Sequence, residues 1–185
     1  MQSRKLFLQS KVNSLFNSVT YRLGSTVIDP GDKQDWRGIE HVLLTHSHFD
    51  HIYGLNSLWE ENHLTKIYTN QYGYRALLDP KINLSKYYGE PFTFNHPDNI
   101  VIVNDKDIIN IGYGLTAQAI FTPGHNDSCI TWMVGDLLFT GDSYIPGMKV
   151  VTNLPGVDRV KASESINLIT ELAIGSTIYP GHKID

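Results

Sequence analysis

The feature that most restricts this chain is a repeated local pattern: a short apolar run, a small residue or turn, and then a side chain able to bind metal. The first instance is the densest. Thr45-His46-Ser47-His48-Phe49-Asp50-His51 follows the apolar run 42–44 and places four such side chains within six residues. Residues two apart on an extended stretch point to the same side, so His46 and His48 are expected to share one ion. A turn after them would bring Asp50 and His51 to a second position nearby. The pattern then recurs with a single candidate ligand each time, in Thr122-Pro123-Gly124-His125, Thr140-Gly141-Asp142 and Pro180-Gly181-His182. Glycine before the ligand permits a tight turn and a close backbone approach. Imidazole and carboxylate donors suit zinc, iron or manganese better than calcium or magnesium.

A fold that joins these pieces must be built from short strands. Runs rich in Val, Ile, Leu and Thr predict strands at 19–23, 26–28, 42–45, 66–69, 100–103, 115–122, 130–134, 137–140 and 177–179. Helices are expected at 52–61, at 71–78 before Pro80, and at 158–172 with Asp158 as N-cap. Strands mixed with helices indicate an α/β protein of layered sheets with helices outside. The 185 residues are enough for one domain, 1–185, with a real core.

Composition removes other classes. Charged residues make up 18% of the chain and the net charge is −4, with Lys and Arg scattered, so neither nucleic acid nor an anionic membrane is an expected partner. No apolar run approaches the ~18 residues of a membrane span. The opening MQSRKLFLQSK has too short an apolar run for a secretory leader. The single cysteine, Cys129, permits no internal disulfide and reads as a buried strand residue; a cytoplasmic setting is the expectation. His41, His63 and His96 match no motif, and Gly112-Tyr113-Gly114 lacks the third glycine of a dinucleotide fingerprint.

THSHFDH, TPGH, TGD and PGH, in this order, resemble the metallo-β-lactamase superfamily, and the upstream Ile28-Asp29-Pro30-Gly31 is similar to that family's IDxG segment. The resemblance covers about residues 19–182. It implies an αββα four-layer sandwich, two mixed sheets with outer helices, and a site at one edge between the sheets. It also implies a ligand set: His46, His48 and His125 for one ion, Asp50, His51 and His182 for a second, and Asp142 bridging both. The cofactor implied is a pair of divalent ions, zinc first, with iron or manganese as alternatives. Asp29 would orient a ligand or the motif loop. Asp50 would also hold the attacking water and move its proton.

Within the superfamily, an aspartate at position 142 argues against β-lactam hydrolysis, and the flanking sequence is most similar to glyoxalase II-type hydrolases. The expected function is therefore dinuclear hydrolysis, in which a metal-bridging hydroxide attacks a small ester, thioester or lactone. Competing readings are phosphodiester hydrolysis, persulfide oxidation at a single iron, and a non-enzymatic module stabilised by metal. A structural zinc is closed by four ligands, whereas seven ligands over two ions leave positions open to water. The partner expected is a small-molecule substrate. Tyr144 and Lys149, following Asp142, are candidate substrate contacts, with Arg159 weaker.

Overall fold

Three neighbouring strands show how the first sheet is organised. In β3 (Thr26–Ile28), β4 (His41–Leu43) and β5 (Lys66–Thr69), successive residues belong to different cores. Ile28, Leu43 and Tyr68 pack into one apolar cluster, while Val27, Val42 and Ile67 pack into another. Side chains alternate across a strand, so this sheet is buried on both faces.

The computed structural model describes residues 7–151, 154 and 157–184. The first sheet has the order β1-β2-β3-β4-β5-β6, with β1 at Leu8–Val12, β2 at Val19–Leu23 and β6 at Ile100–Ile102. β1, β2 and β3 pair antiparallel, and β3 to β6 pair parallel. The second sheet has the order β11-β10-β9-β8-β7, formed by β7 (Ile108–Asn110), β8 (Thr116–Phe121), β9 (Ile130–Val134), β10 (Leu137–Gly141) and β11 (Thr177–Pro180). Its pairs are antiparallel except β10 with β11. Both sheets are therefore mixed, as expected.

The cluster between the sheets joins Tyr21, Ile28, Leu43 and Tyr68 to Ala117, Ala119, Ile130, Trp132 and Phe139. On the far face of the first sheet, Leu55 and Leu58 of α1 (Leu55–Glu61) and Leu77 of α2 (Gln71–Leu77) pack with Trp36, Phe92 and Phe94. The long α4 (Arg159–Leu172) begins at the expected cap, where the Asp158 carboxylate accepts from the Val160 and Lys161 backbone N–H groups. It lies against the end of β8: Ser165 Oγ donates to the Pro123 carbonyl at 2.7 Å. The layers are thus helix, sheet, sheet, helix.

The two sheets are tied together at one edge. Trp132 Nε1 donates to the Leu44 carbonyl at 2.9 Å, and Tyr21 Oη to the Pro180 carbonyl at 2.7 Å. The Ile130 N–H donates to the Thr45 carbonyl and the Val19 N–H to the Gly181 carbonyl, both at 2.7 Å. These bonds flank the ends of β4 and β11. Three elements were not expected: β1, β7 and the four-residue α3 (Ser85–Tyr88). Cys129 is buried, one residue before β9.

Candidate metal centre

The expected ligand residues all meet at that edge. His46 and His48 leave the end of β4, and Asp50 and His51 occupy a 3₁₀ turn, Phe49–His51. His125 lies in the loop after β8. Asp142 and His182 each follow closely on the end of β10 and β11. His46, His48, Asp50, His51 and His125 are all buried.

Two groups can be drawn from the distances. In His46, His48 and His125 the donor atoms lie within 4.8 Å of one another, and the same holds for Asp50, His51 and His182. Asp142 stands between the groups. Its Oδ2 is 3.2 Å from His182 Nε2, 3.5 Å from His125 Nε2 and 3.9 Å from His46 Nε2. Its Oδ1 is 3.6 Å from His51 Nε2.

The outward-facing nitrogens of the rings are anchored, which sets the tautomers. His182 Nδ1–H donates to the Phe16 carbonyl at 2.7 Å, and His125 Nδ1–H to the Val151 carbonyl at 3.2 Å. Carbonyl oxygens only accept, so the proton sits on Nδ1 and the Nε2 lone pair points inward. Thr45 Oγ1 spends its one proton on Asp29 Oδ2 and so accepts from His46 Nδ1–H at 3.3 Å. Asp29 also accepts from the Thr45 backbone N–H at 2.7 Å and from His51 Nδ1 at 3.0 Å. One buried carboxylate thereby fixes two of the histidines.

Two of the inner atoms, by contrast, have no partner. Among the described residues, His46 Nε2 and Asp142 Oδ1 are buried without a hydrogen-bond partner. His48 Nδ1 lies 3.0 Å from His125 Nε2, and His51 Nε2 lies 3.4 Å from His182 Nε2, so that without a cation one proton holds each pair together. Lone pairs gathered in a dry site are costly unless a cation takes them up. This donor set, nitrogen and carboxylate oxygen, fits zinc, iron or manganese. Glycine permits the convergence: a Cβ at position 181 would land on Asp142 Oδ1, and one at Gly141, whose φ is 52°, on Thr45 Oγ1.

Charge in the metal-free centre is balanced by protons. Burial would lower His51, but Asp50, Asp142 and Asp29 outweigh it and raise its pKa to about 10. His182 is raised by Asp142 against burial. Burial and the facing His125 push His48 down to about 3. Burial would raise Asp142, yet the surrounding histidines hold it well below the usual carboxylate range. Burial raises Asp50. To hold a cation, His51 would have to give up the proton on its inner nitrogen.

Beside the centre opens a cavity of about 260 Å³. The described residues that line it do not include Tyr144, Lys149 or Arg159. Tyr144 is half-buried and meets Thr140 through its backbone carbonyl, and Lys149 is exposed. The wall is formed instead by Phe16, Phe49, Leu84 and Tyr88, of which only Phe49 stood near a motif. A second omission is a buried clasp under the histidines. Ser128 Oγ accepts from the Ser47 N–H and Oγ–H, and Asn126 Oδ1 accepts from the Ser128 N–H. The Asn126 amide nitrogen lies 3.1 Å from His48 Nε2. The only sequence signal was position, two and four residues beyond Gly124.

Fold and site together define a class, and comparison gives the family. Residues 24–182 match the model of the metallo-beta-lactamase superfamily, and the chain belongs to it. A probable polyketide biosynthesis zinc-dependent hydrolase, PksB of Bacillus subtilis, is 27% identical over 143 residues, 77% of this chain and 56% of that protein. The match thus spans little over half the length of that relative. The probable metallo-hydrolase MJ0888 of Methanocaldococcus jannaschii is 25% identical over 97% of this chain and 87% of its own. A hydroxyacylglutathione hydrolase of Xylella fastidiosa is 35% identical over 102 residues, 55% of this chain and 31% of the relative. Among solved structures, BLEG-1 B3 metallo-beta-lactamase has the same fold, with a TM-score of 0.83 at 24% identity over 96% of this chain and 92% of its own. Among the described residues, no helix is long and apolar enough to cross a membrane.

Proposed function

We propose that this chain is a hydrolase of small esters, thioesters or lactones that works with two divalent ions. The observation that carries the reading is the place of Asp142, whose two oxygens face histidines of both ligand groups. His46, His48 and His125 would hold one ion, Asp50, His51 and His182 the other, and Asp142 both. Zinc, iron or manganese held there would supply Lewis acidity, lowering the pKa of a bound water toward neutrality and polarising the carbonyl under attack.

The chain's own groups do the rest. Asp29 keeps the His51 proton on Nδ1, so that the inner nitrogen is free to ligate. The Asp50 carboxylate, which lines the cavity beside the ligand histidines, is the base that takes a proton from the attacking water and passes it to the departing oxygen or sulfur. Water adds across the acyl bond to give an acid and an alcohol or thiol. No serine or cysteine nucleophile is needed, and burial pushes the Cys129 thiol up to about 12, so it stays protonated. The name of one matched relative, a zinc-dependent hydrolase, supports metal-dependent hydrolysis, and that of another, a hydroxyacylglutathione hydrolase, supports an acyl substrate.

Metal analysis of the protein as purified, with a panel of thioesters, lactones and bis(p-nitrophenyl) phosphate, tests this reading. Two ions per chain and turnover of an acyl substrate are expected. One iron per chain at full activity, or turnover of the phosphodiester alone, would overturn it.

A further inference from the structure

The cavity wall opposite the ligands is aromatic. Phe49 and Tyr88 stack with centroids 5.5 Å apart and planes within 6°, and Phe16 meets both edge-on at 5.7 and 6.2 Å. Phe16 and Tyr88 are nevertheless 60% and 52% exposed. Large rings left in water at the mouth of a concave site mark a surface that an apolar ligand completes.

Backbone strain gathers on the same wall. Phe16 has φ 51° and Leu84 φ 68°, the left-handed region that side-chain-bearing residues avoid. Such residues persist where the surroundings over-determine them, as in ligand clamps. Phe16 is held by its carbonyl, which accepts from His182, so its ring and a ligand histidine share one anchor.

Charge narrows the ligand further. Among the described residues that line the cavity there is no Lys or Arg, while the carboxylates of Asp50 and Asp142 face it. Val151 and Leu154, which also line it, carry no charge. A carboxylate or phosphate on the substrate's arm would meet no Lys or Arg among those residues, whereas an uncharged apolar arm loses only its contact with water.

We propose that Phe16, Phe49, Leu84 and Tyr88 form the pocket for an uncharged apolar acyl arm, so that the site selects neutral apolar acyl substrates over anionic ones. The bond that is cleaved rests on the hydrolase reading above; the binding of the arm does not.

Two measurements on the full, metal-loaded chain separate the claims. The first is kcat/KM for p-nitrophenyl acetate, butyrate and hexanoate, with p-nitrophenyl hemisuccinate as the anionic probe. A rise of about fourfold per methylene is expected, the equivalent of ~0.8 kcal/mol each, with hexanoate well ahead of hemisuccinate. Phe16→Ala and Tyr88→Ala should flatten the series, and Phe16→Arg should shift preference toward hemisuccinate. The second is an NMR titration with hexanamide and with succinamate, in which only hexanamide should move the Phe16 and Tyr88 ring signals. A flat ester series, a preference for hemisuccinate, or no response to hexanamide overturns the inference. Hexanamide binding in a protein that hydrolyses no ester supports it while removing the hydrolase reading.

Discussion

The first sheet supplies four of the seven ligand-type residues from one loop, 45–51, whereas the second supplies three from three separate strand ends. His46, His48, Asp50 and His51 are neighbours along the chain, and their geometry is set by one extended stretch and one 3₁₀ turn. His125, Asp142 and His182 are neighbours only through topology. β10 and β11 are parallel, and β8 is antiparallel to β9, which is antiparallel to β10. The carboxyl ends of β8, β10 and β11 therefore emerge on the same edge, where such sheets tend to place their sites. The lesson is that one half of the centre depends on local conformation and the other on the whole second sheet being assembled.

Asp142→Ala is the hardest test of this division, because Asp142 is where the two contributions touch. Removing it takes away the one group that faces both clusters and leaves His46, His51, His125 and His182 without their shared carboxylate. Loss of activity is expected to exceed the roughly 100-fold typical of an outer partner, together with loss of at least one ion by metal analysis. A variant that keeps two tightly bound ions and full turnover removes the bridge from the description.

Asp29→Asn probes the first sheet's half alone and should do less. The amide oxygen can still accept from the Thr45 N–H, but its NH₂ cannot accept from His51 Nδ1. A roughly 10–100-fold fall in affinity for one ion is expected, with the protein still folded. The same variant has a pH signature in the metal-free chain. His51 rises from an unfolded value of about 6.5 to about 10 in the folded protein. Its contribution to stability is complete below about 6.5 and is lost as pH climbs toward 10. The metal-free wild type should therefore show a melting temperature that falls across that window, and Asp29→Asn should show a shallower fall. Equal slopes would mean that Asp29 does not support the charged ring.

How much of this was readable in the chain follows from the same contrast. The ligand residues were legible because each stands just beyond an apolar run, four of them clustered in 46–51 and the other three each directly after a glycine, a pattern that survives without knowing which strands pair. Most strands of the two sheets were legible for the same reason, with ends shifted by a residue or two, but the three-residue, largely exposed β7 was not. Nor was β1: Leu-Gln-Ser-Lys-Val is an edge strand whose side chains are mostly exposed, so no burial pattern marks it. α3 has four residues, too few for helical periodicity. The turn that carries Phe16 uses a left-handed phenylalanine where glycine would have announced it. The aromatic wall is made of these unmarked pieces, so Phe16, Leu84 and Tyr88 carried no sequence signal at all.

Substrate contacts inferred from position alone fall on the other side of this line, and the smallest effect is expected there. Tyr144 and Lys149 follow Asp142 in sequence, but the residues of this stretch that reach the cavity are Val151 and Leu154. The Tyr144 carbonyl accepts from Thr140 Oγ1 at 2.7 Å, and neither residue is among those lining the cavity. Lys149→Ala removes an exposed cation whose distant field is screened by salt within about 10 Å. KM for a neutral ester should change by less than about twofold, in keeping with the small worth of exposed charges, and Tyr144→Phe should do no more. A tenfold rise in KM for an anionic substrate alone in Lys149→Ala would show that Lys149 meets the substrate during turnover. Recognition would then extend beyond the aromatic wall to a residue that the second sheet supplies.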